Sequence, residues 1–170
     1  MIAQQVWGTI DPTSDGYNQA GSWVGVLFAI YSGVAAVAAF ALPVLARRIG
    51  AARTHLLCLA IGAVAYIGIF VTHDRTAMIL PMIGIGIAWA SVLTMLYVLL
   101  ANALPQRKLG VYMGIFNFFI VLPQLIVATV MGGVIKTWFP TNPAYTMLVA
   151  ATVMALAAVA MLRVREPIAA

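Results

Sequence analysis

Long apolar runs, separated by short polar segments, make up most of the chain from residue 22 onward. The runs do not alternate with the period of two that β-strands show, which argues against a β-barrel and for helices. They predict five membrane-spanning helices, at residues 22–45, 54–71, 77–104, 109–137 and 144–162. The first would be about 36 Å long at ~1.5 Å per residue, enough to cross a bilayer with some tilt.

The first 20 residues differ from the rest because they are polar and rich in turn-forming residues such as Gly8, Pro12 and Gly16. They predict a loop over residues 1–20, followed by a single transmembrane domain over residues 21–170. Composition agrees, since 64% of the chain is hydrophobic and 8% is charged. A soluble domain carries about 25% charged residues. We therefore expect an all-α membrane protein with no independent soluble fold.

The basic residues predict how the chain is oriented in the membrane. One set of loops and flanks carries only Arg75 and Lys136, whereas the opposite set carries seven basic residues: Arg47, Arg48, Arg53, Arg107, Lys108, Arg163 and Arg165. Cytoplasmic loops are enriched in Lys and Arg. We therefore expect a multi-pass protein whose N-terminal loop is external and whose C-terminus is cytoplasmic. Because no basic cluster is interleaved with aromatic residues, nucleic acid is not an expected partner.

The sequence offers no catalytic constellation. Both histidines, His55 and His73, fall at predicted helix ends, and the single cysteine, Cys58, lies in an apolar run where an inert buried thiol is expected. The acids all fall in predicted loops or tails: Asp11, Asp15, Asp74 and Glu166. No nucleophile–base pair and no metal-ligand spacing is present. We expect no enzymatic activity, no metal and no cofactor.

Neutral polar side chains inside the predicted helices are the remaining candidates. Ser91 lies on the third helix, and Asn117 and Gln124 are seven residues apart on one face of the fourth, next to the helix-bending Pro123. Amides can both donate to and accept from sugar hydroxyls. They can equally bond between helices, at ~0.6 kcal/mol per contact. The residues alone leave both interpretations open.

Two glycines on the fourth predicted helix have the spacing of a helix-packing motif. Gly110 and Gly114 form a GxxxG pair, which favours close approach of a neighbouring helix in membranes. We therefore expect close packing at this end of the helix.

Four stretches resemble one transporter group. Residues 110–124 (GVYMGIFNFFIVLPQ) resemble helix eleven of sucrose and maltose transporters, which belong to the glycoside–pentoside–hexuronide:cation symporter family of the major facilitator superfamily. Residues 86–95 (GIAWASVLTM) look like the tenth helix of that family. Residues 8–14 (GTIDPTS) resemble its outer loop after helix seven, and residues 47–53 (RRIGAAR) its basic inter-helix loop. Together the four stretches reach across nearly the whole chain.

The resemblance implies a place in a twelve-helix architecture. The chain would correspond to helices eight to twelve, a partial C-terminal bundle of the major facilitator fold in a bacterial inner (plasma) membrane. The implied function is proton-coupled transport of a disaccharide or related glycoside, inactive without a missing N-terminal half. Expected partners are the lipid bilayer, the sugar, protons and that N-terminal half. The expected substrate-binding residues are Tyr31, Ser91, Asn117 and Gln124.

Two positions depart from the family pattern. Leu96 stands where the family usually has proline, and Asn102 stands where it usually has an acid, which puts the cytoplasmic gate in question. The alternative hypothesis is a small non-transporting integral membrane protein or a truncated gene product. Such a chain would act only through helix packing with partners.

Overall fold

The computed structural model describes residues 1–105 and 108–164, and these residues form six α-helices. In chain order they are α1 (Ile2–Val6), α2 (Asp15–Ile49), α3 (Ala51–Val71), α4 (Ile79–Ala103), α5 (Leu109–Trp138) and α6 (Tyr145–Met161). The all-α prediction is therefore confirmed. Arg107, Arg165 and Glu166, which entered the charge analysis, lie outside the described residues.

Four of these helices, α2 to α5, are long and apolar enough to cross a membrane. The fifth predicted span corresponds to α6, which is apolar but has 17 residues. At ~1.5 Å per residue α6 is about 25 Å long, close to the lower end of the lengths that membrane helices use.

The start of α2 differs from the prediction. The helix begins at Asp15 rather than at residue 22, and α1 lies within the segment expected to be a loop. The reason is Ser14, whose side-chain oxygen accepts the Tyr17 backbone N–H at 3.2 Å and caps the helix. Asp11 supports the preceding turn, and hydrogen bonds from the Thr13 backbone N–H and then the Thr13 hydroxyl lower the pKa of its carboxyl.

The basic segment between the first two long helices is also more helical than predicted. Only Gly50 separates α2 from α3, with φ +93°, a backbone conformation that side chains other than glycine rarely adopt. The helices therefore turn sharply, and Arg47, Arg48 and Arg53 lie within helical turns next to the corner.

Helices α2, α3, α4 and α6 pack into one bundle. Helix α3 runs antiparallel to both α4 and α6. Its Gly62 faces Ala88 of α4 and Met154 of α6, and the ring of its Phe70 lies 5.5 Å from that of Tyr145 at the start of α6. Helix α2 runs alongside α4 in the same direction. The core shared by α2, α3 and α4 is built mainly of small and flexible side chains: Ala38, Leu42, Ala51, Cys58, Ala90 and Met95.

Three glycines allow the closest helix contacts. A Cβ atom on Gly62 would lie 2.7 Å from the Ala88 Cβ, and one on Gly84 would lie 2.8 Å from the Ala65 Cβ. A Cβ on Gly86 would lie 2.7 Å from the backbone oxygen of Tyr31. Small residues at such positions let membrane helices gain dispersion contacts along their backbones. The closest helix contacts in the bundle therefore lie where α4 meets α2 and α3.

Helix α5 makes few contacts with this bundle. It has no buried residue, and nothing lies within 4 Å of a Cβ built on Gly110 or Gly114. The close packing expected at this GxxxG pair is therefore absent in the described part of the chain. Because a sequence motif does not specify a partner, the same spacing can occur on a helix whose faces are open.

Helix α1 is fastened to the end of α3 by one side chain. The Gln5 Nε2 group lies within hydrogen-bond distance of three backbone oxygens, those of Ile69 at 3.0 Å, Phe70 at 3.0 Å and Thr72 at 2.7 Å, which share its two N–H donors. Carbonyls at a helix C-terminus have no partner within the helix, so the Gln5 amide satisfies groups that would otherwise be left open. The Gln5 Oε1 is buried without a hydrogen-bond partner.

Replacing Gln5 by leucine should release α1. The substitution leaves the α3 carbonyls without their donor, which costs about 1–3 kcal/mol for a buried group. Faster hydrogen exchange at the backbone amides of residues 2–7, measured in nanodiscs by mass spectrometry, should report the loss. Gln4→Leu is the matched control, because Gln4 is exposed on the same helix. Equal exchange rates in the two variants would show that the Gln5 amide does not fasten α1.

Candidate functional site

An aromatic cavity of about 310 Å³ lies among α1, α2, α3, α4 and α6. Three polar-tipped aromatic side chains line it, Tyr31 from α2, Tyr66 from α3 and Trp89 from α4. The rest of the wall is mostly apolar, contributed by Leu27, Phe28, Ile69, Met82, Ile85 and Met147. An apolar cavity with a few polar groups is the usual form of a small-molecule site.

Tyr31 is the one predicted site residue that lines the aromatic cavity. Its side chain is half-buried and meets Phe28 edge to face, with ring centroids 5.9 Å apart. The backbone at Tyr31 is the part of α2 that approaches Gly86 of α4. The position of this wall of the cavity therefore depends on the close contact between the two helices.

Ser91 lies elsewhere, inside the bundle. It is fully buried on α4, and its Oγ is 2.8 Å from the Nδ1 of His55 on α3. His55 was expected at a helix end, but the structure places it as the fifth residue of α3 with 3% of its surface exposed. The contact joins α3 to α4. Cys58, on the same helix, is a free buried cysteine, as expected.

Asn117 and Gln124 lie on α5, away from both the aromatic cavity and Ser91. The Tyr97 hydroxyl of α4 donates to the Asn117 Oδ1, and the Tyr97 ring packs edge to face against Phe116 at 5.3 Å. Gln124 is exposed. The four predicted residues therefore occupy three separate surroundings and do not converge on one site within this chain.

Sequence reasoning missed four residues that the structure brings forward: His55, Tyr66, Trp89 and Tyr97. Their common signal is a polar atom on an aromatic or imidazole ring inside an apolar run. Such side chains serve as ordinary packing residues in many membrane helices, so only their three-dimensional neighbours distinguish them. Among the described residues, no group of three or more His, Cys, Asp or Glu side chains could hold a metal ion.

Comparison with known proteins gives one family. The model of the Major Facilitator Superfamily matches residues 5–170. No match was found among curated proteins or among solved structures. Members of this superfamily are multi-pass membrane transporters and are generally not enzymes. The match spans almost the entire chain and agrees with its long apolar helices, and the chain therefore belongs to the Major Facilitator Superfamily.

Proposed function

We propose that this chain forms part of the C-terminal bundle of a proton-coupled transporter for a disaccharide or related glycoside. The observation that carries the proposal is the aromatic cavity, in which Tyr31 and Trp89 come from two helices that meet at Gly86. Aromatic faces suit the apolar C–H surface of a sugar ring, and the tyrosine hydroxyls and indole N–H can bond its oxygens.

The other residues of the proposed substrate site are Asn117 and Gln124, which would contact the substrate, and Ser91, which would position α4. Asn117 and Gln124 lie on α5, a span with no buried residue, and are separated by two helical turns. An amide in a membrane needs hydrogen-bond partners. In a two-bundle transporter the substrate site lies near the midplane between the bundles, which would supply partners for Gln124 and for the Asn117 groups that Tyr97 does not bond. Ser91 would act through its contact with His55, by fixing α4 against α3.

The proposed placement in the cell follows the charge asymmetry. Five spans, α2 to α6, would cross a bacterial inner membrane, with the N-terminal segment outside and the C-terminus in the cytoplasm. The link between α3 and α4, which carries Arg75, would then lie outside, and the corner at Gly50 with its arginines would lie inside. Arg47, Arg48 and Arg53 lie next to this corner and support the arrangement, because basic residues are enriched on the cytoplasmic side of a membrane.

The alternative of a different class is a non-transporting membrane protein that works through helix packing. The contact between Ser91 and His55 favours it, because this polar pair is used between two helices of the bundle. The open faces of α5 are compatible with both hypotheses, since another protein or lipid could cover them. An assay of sugar uptake distinguishes the transporter from the non-transporting membrane protein.

The proposed substrate site can be tested by one substitution in the aromatic cavity and one on α5. In a transporter that pairs this chain with an N-terminal seven-helix bundle, Tyr31→Phe should raise the apparent KM for maltose or sucrose about tenfold, the effect of losing ~1.4 kcal/mol of binding. Gln124→Leu should raise KM or abolish uptake. The control is Tyr112→Phe, since Tyr112 is exposed near the start of α5. Uptake kinetics of Tyr31→Phe and Gln124→Leu that both match this control would refute the proposed site.

A further inference from the structure

A second cavity lies beside the start of α2 and is lined by different residues from the aromatic cavity. It has a volume of about 440 Å³ and lies between the segment after α1, the first turns of α2 and the link between α3 and α4. We call it the two-tryptophan pocket, after Trp7 and Trp23. Its other lining residues include Asp15, Asn18, Gln19 and Arg75. A volume of this size is within the range of small-molecule sites.

Both indoles are held in place by specific contacts. The Trp7 Nε1–H donates to the Gln19 Oε1 at 3.3 Å, and the Trp23 Nε1–H donates to the Arg75 backbone oxygen at 3.0 Å. Trp7 packs over Gly16, where a Cβ would lie 3.7 Å from its ring. The chain turns back toward α2 at Gly8, whose φ of +66° is left-handed. The pocket is therefore shaped by the fold of residues 7–16.

The charges of the pocket narrow the kinds of ligand that fit it. Asp15 and Arg75 both line it but do not form an ion pair with each other, and the Arg75 guanidinium lies 6.0 Å from the Trp23 ring centroid. Asp15 disfavours a ligand that carries only negative charge and Arg75 one that carries only positive charge, which leaves neutral and zwitterionic ligands. A neutral ligand with many hydroxyls satisfies both, because a hydroxyl donates to a carboxylate and accepts from a guanidinium. The Asn18 amide offers a further donor and acceptor.

We propose that the two-tryptophan pocket binds a neutral saccharide at a site separate from the transport site. The sugar ring would lie against an indole, and its hydroxyls would bond the Asp15 carboxylate, the Asn18 amide and the Arg75 guanidinium. The choice of a sugar as the ligand rests on the proposed function. The pocket lies at the end of the bundle that we propose faces outward. Sugar would meet this pocket before it reaches the aromatic cavity.

Equilibrium binding of radiolabelled maltose and sucrose to the full chain in nanodiscs of neutral lipid tests the proposal. Saturable binding is expected for at least one of the sugars. It should weaken at least tenfold in Trp7→Leu and in Asp15→Asn. The matched control is Trp138→Leu, because Trp138 is exposed at the end of α5 and distant in sequence from the pocket. Asp15→Asn preserves size, so it still tests the pocket if Trp7→Leu disturbs the fold.

Several outcomes would overturn the proposal. One is the absence of saturable binding, and another is binding that Tyr31→Phe weakens while Asp15→Asn leaves it unchanged. Competition by inorganic phosphate would show an anion site instead. Uptake by the two-bundle transporter, measured separately, keeps the two hypotheses apart. Pocket binding without uptake would refute only the transport function, whereas uptake without Asp15-dependent binding would refute only the pocket.

Discussion

Gly86→Leu is expected to destabilise the bundle by about 3 kcal/mol, the upper end of the usual cost of overpacking. Even a Cβ at this position would lie 2.7 Å from the Tyr31 backbone oxygen and 3.1 Å from the Val34 Cβ. A backbone oxygen cannot move aside by changing a rotamer, so α2 and α4 must separate. The separation should also disturb the aromatic cavity, because Tyr31 forms part of its wall.

Unfolding in mixed micelles, followed by circular dichroism as the fraction of denaturing detergent rises, measures this loss. The matched control is Gly114→Leu, which places the same side chain on α5, where nothing lies within 4 Å of the new Cβ. Leucine favours helix over glycine by up to ~1 kcal/mol, so the control should be neutral or slightly more stable. Equal stability of the two variants would contradict the close approach of α2 and α4.

Purified alone in proteoliposomes, this chain is expected to accumulate no maltose or sucrose above empty liposomes under an inward proton gradient. Alternating access requires two bundles that rock around a shared site. Here α5 exposes Gln124 and has no buried residue, so one side of the proposed site is open. Among the described residues, the acids Asp11, Asp15 and Asp74 lie in the polar segments or at the first residue of α2, outside the apolar stretches of the helices.

Co-reconstitution with an N-terminal seven-helix bundle should restore uptake, and dissipating the gradient with an ionophore should abolish the accumulation. His55 provides the critical control, because it is a buried titratable group inside α3. Gradient-driven accumulation by the chain alone, abolished by His55→Asn, would show that one bundle suffices and that the accumulation depends on His55. Accumulation by the chain alone would in either case refute the need for a second bundle.

The helices could be predicted because apolar runs of this length have few alternatives in a membrane. The ends were less predictable. Ser14 is a good N-cap residue and Asp15 suits a first turn, yet the polar composition of residues 1–20 concealed this signal. Similarly, the arginine-rich segment around Gly50 suggested a loop, whereas one glycine with positive φ completes the corner.

The packing and the candidate site depend on contacts between residues distant in the sequence. The GxxxG pair at Gly110 was visible, but the glycines that bring helices together are Gly62, Gly84 and Gly86, whose role depends on the residue opposite each one. Individual polar candidates could likewise be recognised in the sequence, but their contacts could not. The partner of Ser91 is 36 residues away, at His55, and no local pattern connects them. Pairwise contacts of this kind become apparent only in the folded chain.

The unequal helix lengths have a consequence for the surrounding lipid. The 17 residues of α6 span about 25 Å, whereas the hydrocarbon core of a typical bilayer is ~30 Å thick. The 35 residues of α2 greatly exceed that thickness and must tilt or extend into the headgroup region. If α6 crosses the membrane as proposed, the lipid next to it must thin, or flanking aromatic residues such as Phe139 must extend the apolar surface. On its α6 side the protein should therefore be best matched by short-chain lipids. Membrane thickness is then one determinant of the tilt of the bundle in the bilayer.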